Sequence, residues 1–270
     1  MRTIAHLSDM HFGRVDERIA LKLAEDVEAS QPDLLVISGD LTQRARRQEF
    51  EEANRFIGRF SCPLLVVPGN HDLPRLNLLT PWRRSLAKYR AHIGDDLDPF
   101  YKDDEIAVAG INTSRKTTFK GGRINSEQVR RACERFQSVS ENHVRIVVTH
   151  HPFEIPSGHS SRDIVGRARA AITEFAKCRI DVFMAGHLHA TAFTCSSSRY
   201  KIAGYSALMV NGGTACSWRT RREMNSWNLL RVSREQISVE QKVWHDEEQR
   251  FGAGILQKYL WSAKGWTPNQ

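Results

Sequence analysis

The chain has 270 residues, of which 40% are hydrophobic, and a formal net charge of +8 at pH 7. This length allows one large domain or two small ones, and the apolar fraction is enough to bury a proper core. No apolar run approaches the roughly 18 to 20 residues of a membrane span. The first residues lack the long apolar segment of a signal peptide. We therefore expect a cytoplasmic protein without a membrane span.

The cysteines and the positive charge give weaker indications. Five cysteines are an odd number, and they have no close spacing, so we predict reduced thiols, with neither a disulfide framework nor a thiolate zinc site. The charge fits attraction for phosphate esters or nucleic acids, and it equally fits an arginine-rich solvated surface. An exposed helix face is the favoured interpretation of most basic clusters. These clusters are Arg44/Arg46/Arg47, Arg83/Arg84, Arg130/Arg131 and Arg219/Arg221/Arg222.

The first seventy residues alternate between predicted strands and helices. Continuous apolar runs at 3–7, 34–38 and 64–68 are typical of buried parallel strands. Helical spacing of apolar residues predicts helices at 18–30 and 45–60. Asp9 and Asp40 are separated by about 30 residues, as are Asp40 and Asn70, which is the length of one βαβ unit. The carboxyl ends of these strands are therefore expected at one edge of one sheet.

The rest of the chain is predicted to change from alternating elements to short strands. We predict a short helix at 82–93, strands at 106–111, 144–149 and 180–185, a helix that opens at Ser126 with Ser126 as its N-cap, and a helix at 167–178. Short strands at 192–195, 200–203, 207–210, 227–231 and 237–244 predict an antiparallel meander that forms a second sheet within one domain. We place this domain at 1–245 and expect the tail, 246–270, to pack on the core or on a partner subunit.

Polar residues that can bind metals follow the predicted strands. Each short motif alone is as well explained by a turn or by surface decoration. Five of the eleven histidines collect at strand ends, however, and satisfied core histidines would not be expected to do so. Nitrogen and oxygen ligands of this kind suit Mn, Fe or Zn. The residues concerned are Asp9, His11, Asp40, Asn70, His71, Asp72, His150, His187 and His189.

These ligands can be divided between two metal ions that share Asp40. The first ion is assigned Asp9, His11, Asp40 and His189, and the second is assigned Asp40, Asn70, His150 and His187. Two such ions lower the pKa of a bridging water, and the resulting hydroxide can attack phosphorus. His71 is left to protonate the leaving oxygen or to stabilise charge on the phosphoryl group. Asp72 is predicted to orient His71 by accepting its other N–H.

The same blocks, in this order, resemble the calcineurin-like metallophosphoesterase superfamily. They are Asp9-x-His11, Gly39-Asp40, Gly69-Asn70-His71-Asp72, His150 and Gly186-His187-x-His189, within residues 3–189. The resemblance implies an α/β fold, an αββα sandwich of two mixed β-sheets flanked by helices, with a dinuclear metal site. The compact domain is similar to the bacterial class III cyclic nucleotide phosphodiesterases. In the loops, Asn112, Arg115 and His151 are candidates for contact with substrate.

The leading hypothesis is a dinuclear metal-dependent phosphodiesterase for small phosphodiesters, including 3′,5′- or 2′,3′-cyclic nucleotides. The alternatives within the superfamily are a phosphomonoesterase, a nuclease and a lipid-headgroup phosphohydrolase. A nucleic acid partner is not favoured, because the sequence has no interleaved basic and aromatic platform. A non-catalytic metal-binding scaffold would be expected to have lost ligands, and none is missing. Both a monomer and a homodimer are compatible with the sequence.

Overall fold

The computed structural model describes residues 1–74, 85–115, 121–219 and 223–269. Its strands are β1 Arg2–Leu7, β2 Leu34–Ile37, β3 Leu64–Val66, β4 Phe100–Lys102, β5 Ile106–Ile111, β6 Val144–Thr149, β7 Val182–Ala185, β8 Ala192–Cys195, β9 Leu208–Asn211, β10 Ser226–Val232, β11 Gln236–His245, β12 Arg250–Ser262 and β13 Gly265–Pro268. Its α-helices are α1 Glu17–Ala29, α2 Arg47–Ile57, α3 Ala87–His92, α4 Ser126–Gln137 and α5 Ala168–Lys177. Short 3-10 turns occur at Ser161–Asp163 and Ser196–Ser198.

The strands form two mixed sheets. The first has the order β13-β12-β11-β10-β1-β2-β3, and the second has the order β4-β5-β6-β7-β9-β8. In the first sheet, β1, β2 and β3 are parallel, whereas β10 joins β1 in the antiparallel sense. In the second sheet, β5, β6, β7 and β9 are parallel, and β4 and β8 are antiparallel edge strands.

Alternation along the buried strands explains the layering. In β2, Leu34 and Val36 belong to the core between the two sheets, whereas Leu35 and Ile37 face the layer that contains α1 and α2. The outer face of the second sheet packs against α4 and α5 through a third cluster that includes Phe136. Residues two apart point to the same face of a strand, so a strand with both faces covered must be apolar throughout. The predicted αββα sandwich is confirmed.

Several sequence-based predictions of local structure are wrong. The strands of the predicted meander are divided between the two sheets: β8 and β9 lie in the second sheet, whereas β10 and β11 lie in the first. The latter extend the first sheet because β10 pairs with β1 in a register that places Leu230 opposite Ile4. Residues 200–203 are not a strand, since the Tyr200 N–H donates to Ser196 O and closes a turn after the second 3-10 helix. The short strand β4 was not predicted.

The predicted starts of helices α4 and α3 have different outcomes. The N-cap of α4 is Asn125 and not Ser126, because the Asn125 side chain accepts the Gln128 N–H at 2.8 Å and the Gln128 side chain accepts the Asn125 N–H at 3.3 Å. This reciprocal pair is a capping box. Of the helix predicted at 82–93, α3 is described, and its predicted start at 82–84 lies outside the described residues, as do Arg83, Arg84, Arg221 and Arg222.

The tail continues the first sheet. Strand β12 pairs with β11 from His245–Arg250 to Gln236–Leu260, and β13 pairs with the end of β12. Tyr259 and Trp266 from these strands are buried in the core between the sheets. The division at residue 245 and a contact with a partner subunit stay predictions. No helix among the described residues has both the length and the apolar character needed to cross a membrane.

The prediction that all cysteines are reduced is wrong for one pair. Cys133 and Cys178 form a disulfide, with their Cα atoms 5.7 Å apart and a sequence separation of 45. Helices α4 and α5 lie side by side on the second sheet, and this packing brings together two positions whose sequence spacing gave no indication of contact. The other three cysteines, Cys62, Cys195 and Cys216, are free thiols.

Candidate metal centre

The predicted ligands lie at the carboxyl ends of strands from both sheets. Asp9 and His11 follow β1, Asp40 follows β2 and Asn70 follows β3, whereas His150 follows β6 and His187 and His189 follow β7. All seven side chains are buried. The His187 N–H donates to Asp9 Oδ2 at 2.9 Å, which joins the end of β7 in one sheet to the end of β1 in the other. The structure therefore brings the predicted ligand set together between the sheets.

The first group of ligand atoms surrounds Asp9 Oδ1. This oxygen lies 3.7 Å from His11 Nε2 and 3.5 Å from His189 Nε2. His11 Nε2 lies 3.7 Å from Asp40 Oδ2. Asp9 Oδ1 and His11 Nε2 are buried and have no hydrogen-bond partner among the described residues. Buried polar atoms are nearly always paired, so these two unpaired atoms point to a ligand between them.

The second group surrounds Asn70 Oδ1. This oxygen is 3.1 Å from His150 Nε2 and 3.0 Å from His187 Nδ1. His150 Nε2 is also 3.4 Å from Asp40 Oδ1. The two carboxylate oxygens of Asp40 thus face different groups, Oδ2 toward His11 and Oδ1 toward His150.

The separations between ligand atoms fit metal binding. Bonds of about 2.1 Å from an ion to nitrogen or oxygen place neighbouring ligand atoms about 3.0 to 3.4 Å apart. The contacts in both groups run from 3.0 to 3.7 Å. The chain therefore offers two neighbouring groups of nitrogen and oxygen donors with Asp40 facing both, and such donors suit several first-row metals.

Backbone conformation at the ligands is unusual. Five of them have positive φ, with values of 52° at Asp9, His11 and Asp40, 73° at His187 and 57° at His189. Non-glycine residues rarely adopt this region, and each costs on the order of 1–3 kcal/mol, so such residues cluster at functional sites. Asp and His are among the non-glycine residues most often found in this region, but residue type alone did not indicate that these five adopt it.

Glycine precedes three of the ligands because the strand ends approach closely. A Cβ at Gly69 would lie 2.1 Å from Asp40 Oδ1 and 2.2 Å from the Asp40 backbone nitrogen. A Cβ at Gly186 would lie 1.8 Å from Ser8 Oγ and 2.6 Å from Asp9 Oδ2. Any side chain at either position would therefore push a ligand carboxylate out of place.

The electrostatics favour charged carboxylates. Burial opposes the charge of Asp9, but His189 and His11 outweigh it and lower the pKa of the carboxyl group. Burial likewise opposes the charge of Asp40, whose pKa is lowered by His150. Against the effect of burial, Asp40 raises the pKa of His150 to about 9. Because a metal needs deprotonated ligands, an ion and a proton compete for His150.

His71 is held by its backbone and by a carbonyl group, not by Asp72. Its N–H donates to Asp40 Oδ1 at 2.8 Å, and its Nδ1 lies 2.8 Å from the Gln43 carbonyl oxygen. A carbonyl only accepts, so Nδ1 carries the proton. Burial, with help from nearby His11 and Arg219, lowers the pKa of the ring to about 4 against the opposing charge of Asp40.

The predicted hydrogen bond from His71 to Asp72 is therefore corrected. The Asp72 carboxylate accepts from Thr42 N at 2.8 Å, Thr42 Oγ1 at 2.9 Å, Gly69 N at 2.9 Å and Leu41 N at 3.3 Å. Asp72 thus joins the loop after β2 to the loop after β3, and these loops supply Asp40 and His71. Burial and the nearby charge of Asp40 raise the pKa of Asp72 to about 6.

The three candidate substrate contacts in the loops lie in two different places. His151 is buried beside the second group, within 4.8 Å of the ligand atoms of His150 and His187, and its Nδ1 pairs with Thr113 Oγ1 at 2.8 Å. Asn112 and Arg115 instead contact the start of α4, through bonds of 2.8 Å and 2.7 Å with Gln128. The described contacts do not include one between either residue and the predicted ligands.

Arg219 was missed as a site residue. Its Nη1 atom lies 2.6 Å from His71 Nε2 and 3.2 Å from His71 Nδ1. The sequence places Arg219 in a basic cluster, for which an exposed face was the favoured interpretation. The segment has no ligand motif, and only the folded chain brings it over His71.

Comparison with known proteins identifies the family. The sequence model of the calcineurin-like phosphoesterase family matches residues 2–191, which contain every predicted ligand. The chain therefore belongs to the calcineurin-like phosphoesterase family.

Curated relatives match parts of the chain. It is 33% identical over 82 residues to glycerophosphodiester phosphodiesterase GpdQ of Enterobacter lignolyticus, covering 26% of this chain and 29% of the relative. It is 25% identical over 230 residues to one component of the nuclease SbcCD of Staphylococcus epidermidis, covering 74% of this chain and 60% of the relative. It is 29% identical over 82 residues to a probable cyclic nucleotide phosphodiesterase of Synechococcus, covering 27% and 32% respectively. The chain thus spans less than two thirds of the length of each of these relatives.

Solved structures support the fold. The purple acid phosphatase PPD1 of yellow lupin superposes with a TM-score of 0.69 at 12% identity, over 94% of this chain and 53% of that one. A dimetal phosphatase of Danio rerio superposes with a TM-score of 0.65 at 13% identity, over 97% and 99% of the two chains. At these identities the likeness establishes the architecture alone.

Proposed function

We propose that the protein is a metal-dependent phosphodiesterase that hydrolyses small phosphodiesters by attack of water on phosphorus. The observation that carries this proposal is the position of Asp40. Its two carboxylate oxygens face separate buried groups of nitrogen and oxygen donors, at 3.7 Å from His11 and 3.4 Å from His150. Family membership and relatives named as phosphodiesterases support the reaction class.

In this proposal the chain holds two ions of Mn, Fe or Zn. Asp9, His11, Asp40 and His189 hold the first, and Asp40, Asn70, His150 and His187 hold the second. When bound, such a pair activates water and clamps the oxygens of an in-line displacement at phosphorus. The left-handed backbone at five ligands fixes their directions before any ion arrives, so little reorganisation is needed on binding.

His71 supplies the proton for the leaving oxygen. Its Nδ1–H is directed to the Gln43 carbonyl, so Nε2 is the atom through which a proton passes to substrate. A neighbouring anion favours the charged form of an imidazole, and the acidic form of His71 therefore arises in the complex with substrate. Asp72 positions this histidine indirectly, by joining the loops after β2 and β3. His151, Asn112 and Arg115 remain proposed substrate contacts, of which His151 has the nearest position.

The test is hydrolysis by the purified, Mn-loaded protein. We expect turnover of bis-p-nitrophenyl phosphate and of at least one of 3′,5′- and 2′,3′-cyclic AMP, with oxygen from labelled water appearing in the phosphate product. Turnover of p-nitrophenyl phosphate alone would mean that the protein is a monoesterase and not a diesterase. A metal-loaded protein inert toward every ester would support the non-catalytic scaffold.

Two variants and one control make this test specific. Asp40→Asn should abolish turnover and lower metal content, because both groups depend on its charge. His71→Gln should lower kcat by about 100- to 10,000-fold while metal content is kept, which is the usual contribution of a general acid. Asp95→Asn alters an exposed carboxylate and should leave both quantities unchanged. Wild-type turnover by Asp40→Asn would refute the assignment.

A nuclease is the second candidate, because the match to a component of the nuclease SbcCD extends over 230 residues. A basic chain that binds nucleic acid through phosphates shows an affinity that falls steeply with salt. Measuring the binding of single- and double-stranded DNA at about 50 and about 200 mM salt tests this candidate. A steep loss of affinity together with cleavage would favour the nuclease, and a lack of binding would count against it.

Location and assembly are tested separately. We propose a cytoplasmic location, although the Cys133–Cys178 disulfide is more typical of an oxidising compartment. Cell fractionation decides between the two. Light scattering of the purified protein distinguishes the monomer from the homodimer.

A further inference from the structure

Arg219 lies on a segment that is fixed to the loop after His11. The Trp218 N–H donates to the Arg14 carbonyl at 3.0 Å, and the Trp218 indole Nε1–H donates to the Val15 carbonyl at 3.2 Å. The Asp16 N–H donates to the Cys216 carbonyl at 2.9 Å, and Val15 and Ser217 form an antiparallel bridge. The Arg219 backbone therefore leaves an anchored segment, and its side chain is only half-buried.

The side chain ends over the imidazole of His71. Nη1 lies 2.6 Å from Nε2 and 3.2 Å from Nδ1. An atom this near to both ring nitrogens lies against the face of the ring and not along the lone pair of Nε2. The guanidinium consequently covers His71 without taking the direction in which Nε2 meets a substrate.

We propose that Arg219 binds the phosphoryl group of the substrate, as a substrate-contacting residue of the same site. This inference rests on the proposed function. An oxygen in hydrogen-bond reach of His71 Nε2 lies at about 2.6 to 3.2 Å from that atom. Since Nη1 is 2.6 Å from Nε2, such an oxygen lies within about 6 Å of Nη1. An arginine side chain has several rotatable bonds and many rotamers, so the guanidinium is long and flexible enough to reach such an oxygen.

The chemistry of the two possible contacts favours the phosphoryl group. The guanidinium is a donor with five N–H groups in a planar fork, which matches two phosphate oxygens at once. A phosphodiester is an anion, and a guanidinium forms bidentate, charge-assisted hydrogen bonds with phosphate oxygens, which a single imidazole ring cannot match. A phosphoryl group is therefore a stronger partner for the guanidinium than the imidazole ring is, and a move toward it uncovers His71.

Arg219 would thus favour phosphoryl groups by charge and shape, independently of the metal ligands. A lysine at this position keeps the charge but loses the fork, so it should recover only part of the binding. Arg44 offers a matched control. It is an exposed arginine one residue after Gln43, whose carbonyl contacts His71, and we assign Arg44 no role in the site.

The experiment measures the binding of inorganic phosphate to the Mn-loaded protein by isothermal titration calorimetry. Arg219→Ala should weaken phosphate binding about 10- to 100-fold, as expected for lost hydrogen bonds to a charged group, and Arg219→Lys should lie between this variant and the wild type. Metal content by mass spectrometry and the melting temperature should stay at wild-type values in both. Arg44→Ala should bind phosphate like the wild type.

Three results would overturn this proposal. They are unchanged phosphate affinity in Arg219→Ala, an equal loss in Arg44→Ala, and a loss that is explained by missing metal. A metal-loaded wild type that binds phosphate through Arg219 but hydrolyses no diester would overturn the proposed function alone. The two proposals therefore fail in different ways.

Discussion

Replacing Gly69 by alanine should damage the metal centre far more than the fold. The added Cβ would lie 2.1 Å from Asp40 Oδ1 and 2.2 Å from the Asp40 backbone nitrogen. Ordinary contacts lie near 3.5 Å, so the loops after β2 and β3 must separate by about 1.4 Å. Metal–ligand distances tolerate about 0.2 Å. Because Asp40 is the proposed shared ligand, both ions should lose affinity, each by at least the 10- to 100-fold typical of disturbed ligand support.

The fold should survive this substitution. Overpacking costs about 1–3 kcal/mol, against a total free energy of unfolding of about 5–15 kcal/mol. Metal content after dialysis, metal affinity by calorimetry, and urea unfolding of the metal-free protein separate the two effects. Gly94→Ala is the matched control, since nothing lies within 4 Å of a Cβ there. If Gly69→Ala retained two ions at wild-type affinity, the interpretation of this contact would be wrong.

Four further predictions concern stability. Removing the metals with a chelator should lower the free energy of unfolding by about 2.7 kcal/mol per site at an ion concentration of 100 times Kd, and a melting temperature indifferent to chelator would contradict metal binding. The double variant Cys133→Ser/Cys178→Ser should lose about 4 kcal/mol, because the disulfide closes a loop of 45 residues; reductant should lower the stability of the wild type but not that of the variant. Trp266→Ala should cost about 3–5 kcal/mol in urea unfolding, since Trp266 is fully buried between the sheets, and a loss below about 1 kcal/mol would show that β13 is not docked. Burial raises the pKa of Asp26 in the folded state. The stabilisation linked to protonation of Asp26 is therefore fully present below the unfolded-state pKa of about 3.9, and it is lost as the pH rises through the folded-state pKa. As the pH rises from about 3.9 through the folded-state pKa, Asp26→Asn should therefore gain stability relative to the wild type, whereas a constant difference would exclude this cause.

The sequence predicted what depends on local pattern. Continuous apolar runs identified β1, β2 and β3, because a strand with both faces covered has no polar residue to interrupt it. Strand-end residues such as Asp40 and Asn70 were correctly expected to lie close together, because parallel strands separated by crossover helices must end at the same edge; their role as ligands stays a prediction. Each of these inferences needs only a short window of sequence and a general rule of topology.

What depends on contacts between distant segments could not be predicted. The pairing of β10 with β1 decides which sheet receives the meander, and nothing within either strand encodes that partner. The same holds for Cys133 and Cys178, which meet only because two helices pack together. The contact of Arg219 with His71 was missed for this reason too, since it depends on an anchored segment that crosses to His71. The orientation of His71 by the Gln43 carbonyl involves a backbone group, which leaves no signature in residue type.

The hydrogen bond from the His187 backbone to Asp9 has a consequence for assembly of the native state. The donor and the acceptor are 178 residues apart in the chain, and they belong to opposite layers of the sandwich. Cations bound where the two sheets meet would cross-link them, so separation of the sheets would also release the ions. Ion release during unfolding would then report directly on the moment at which the two halves of the molecule separate.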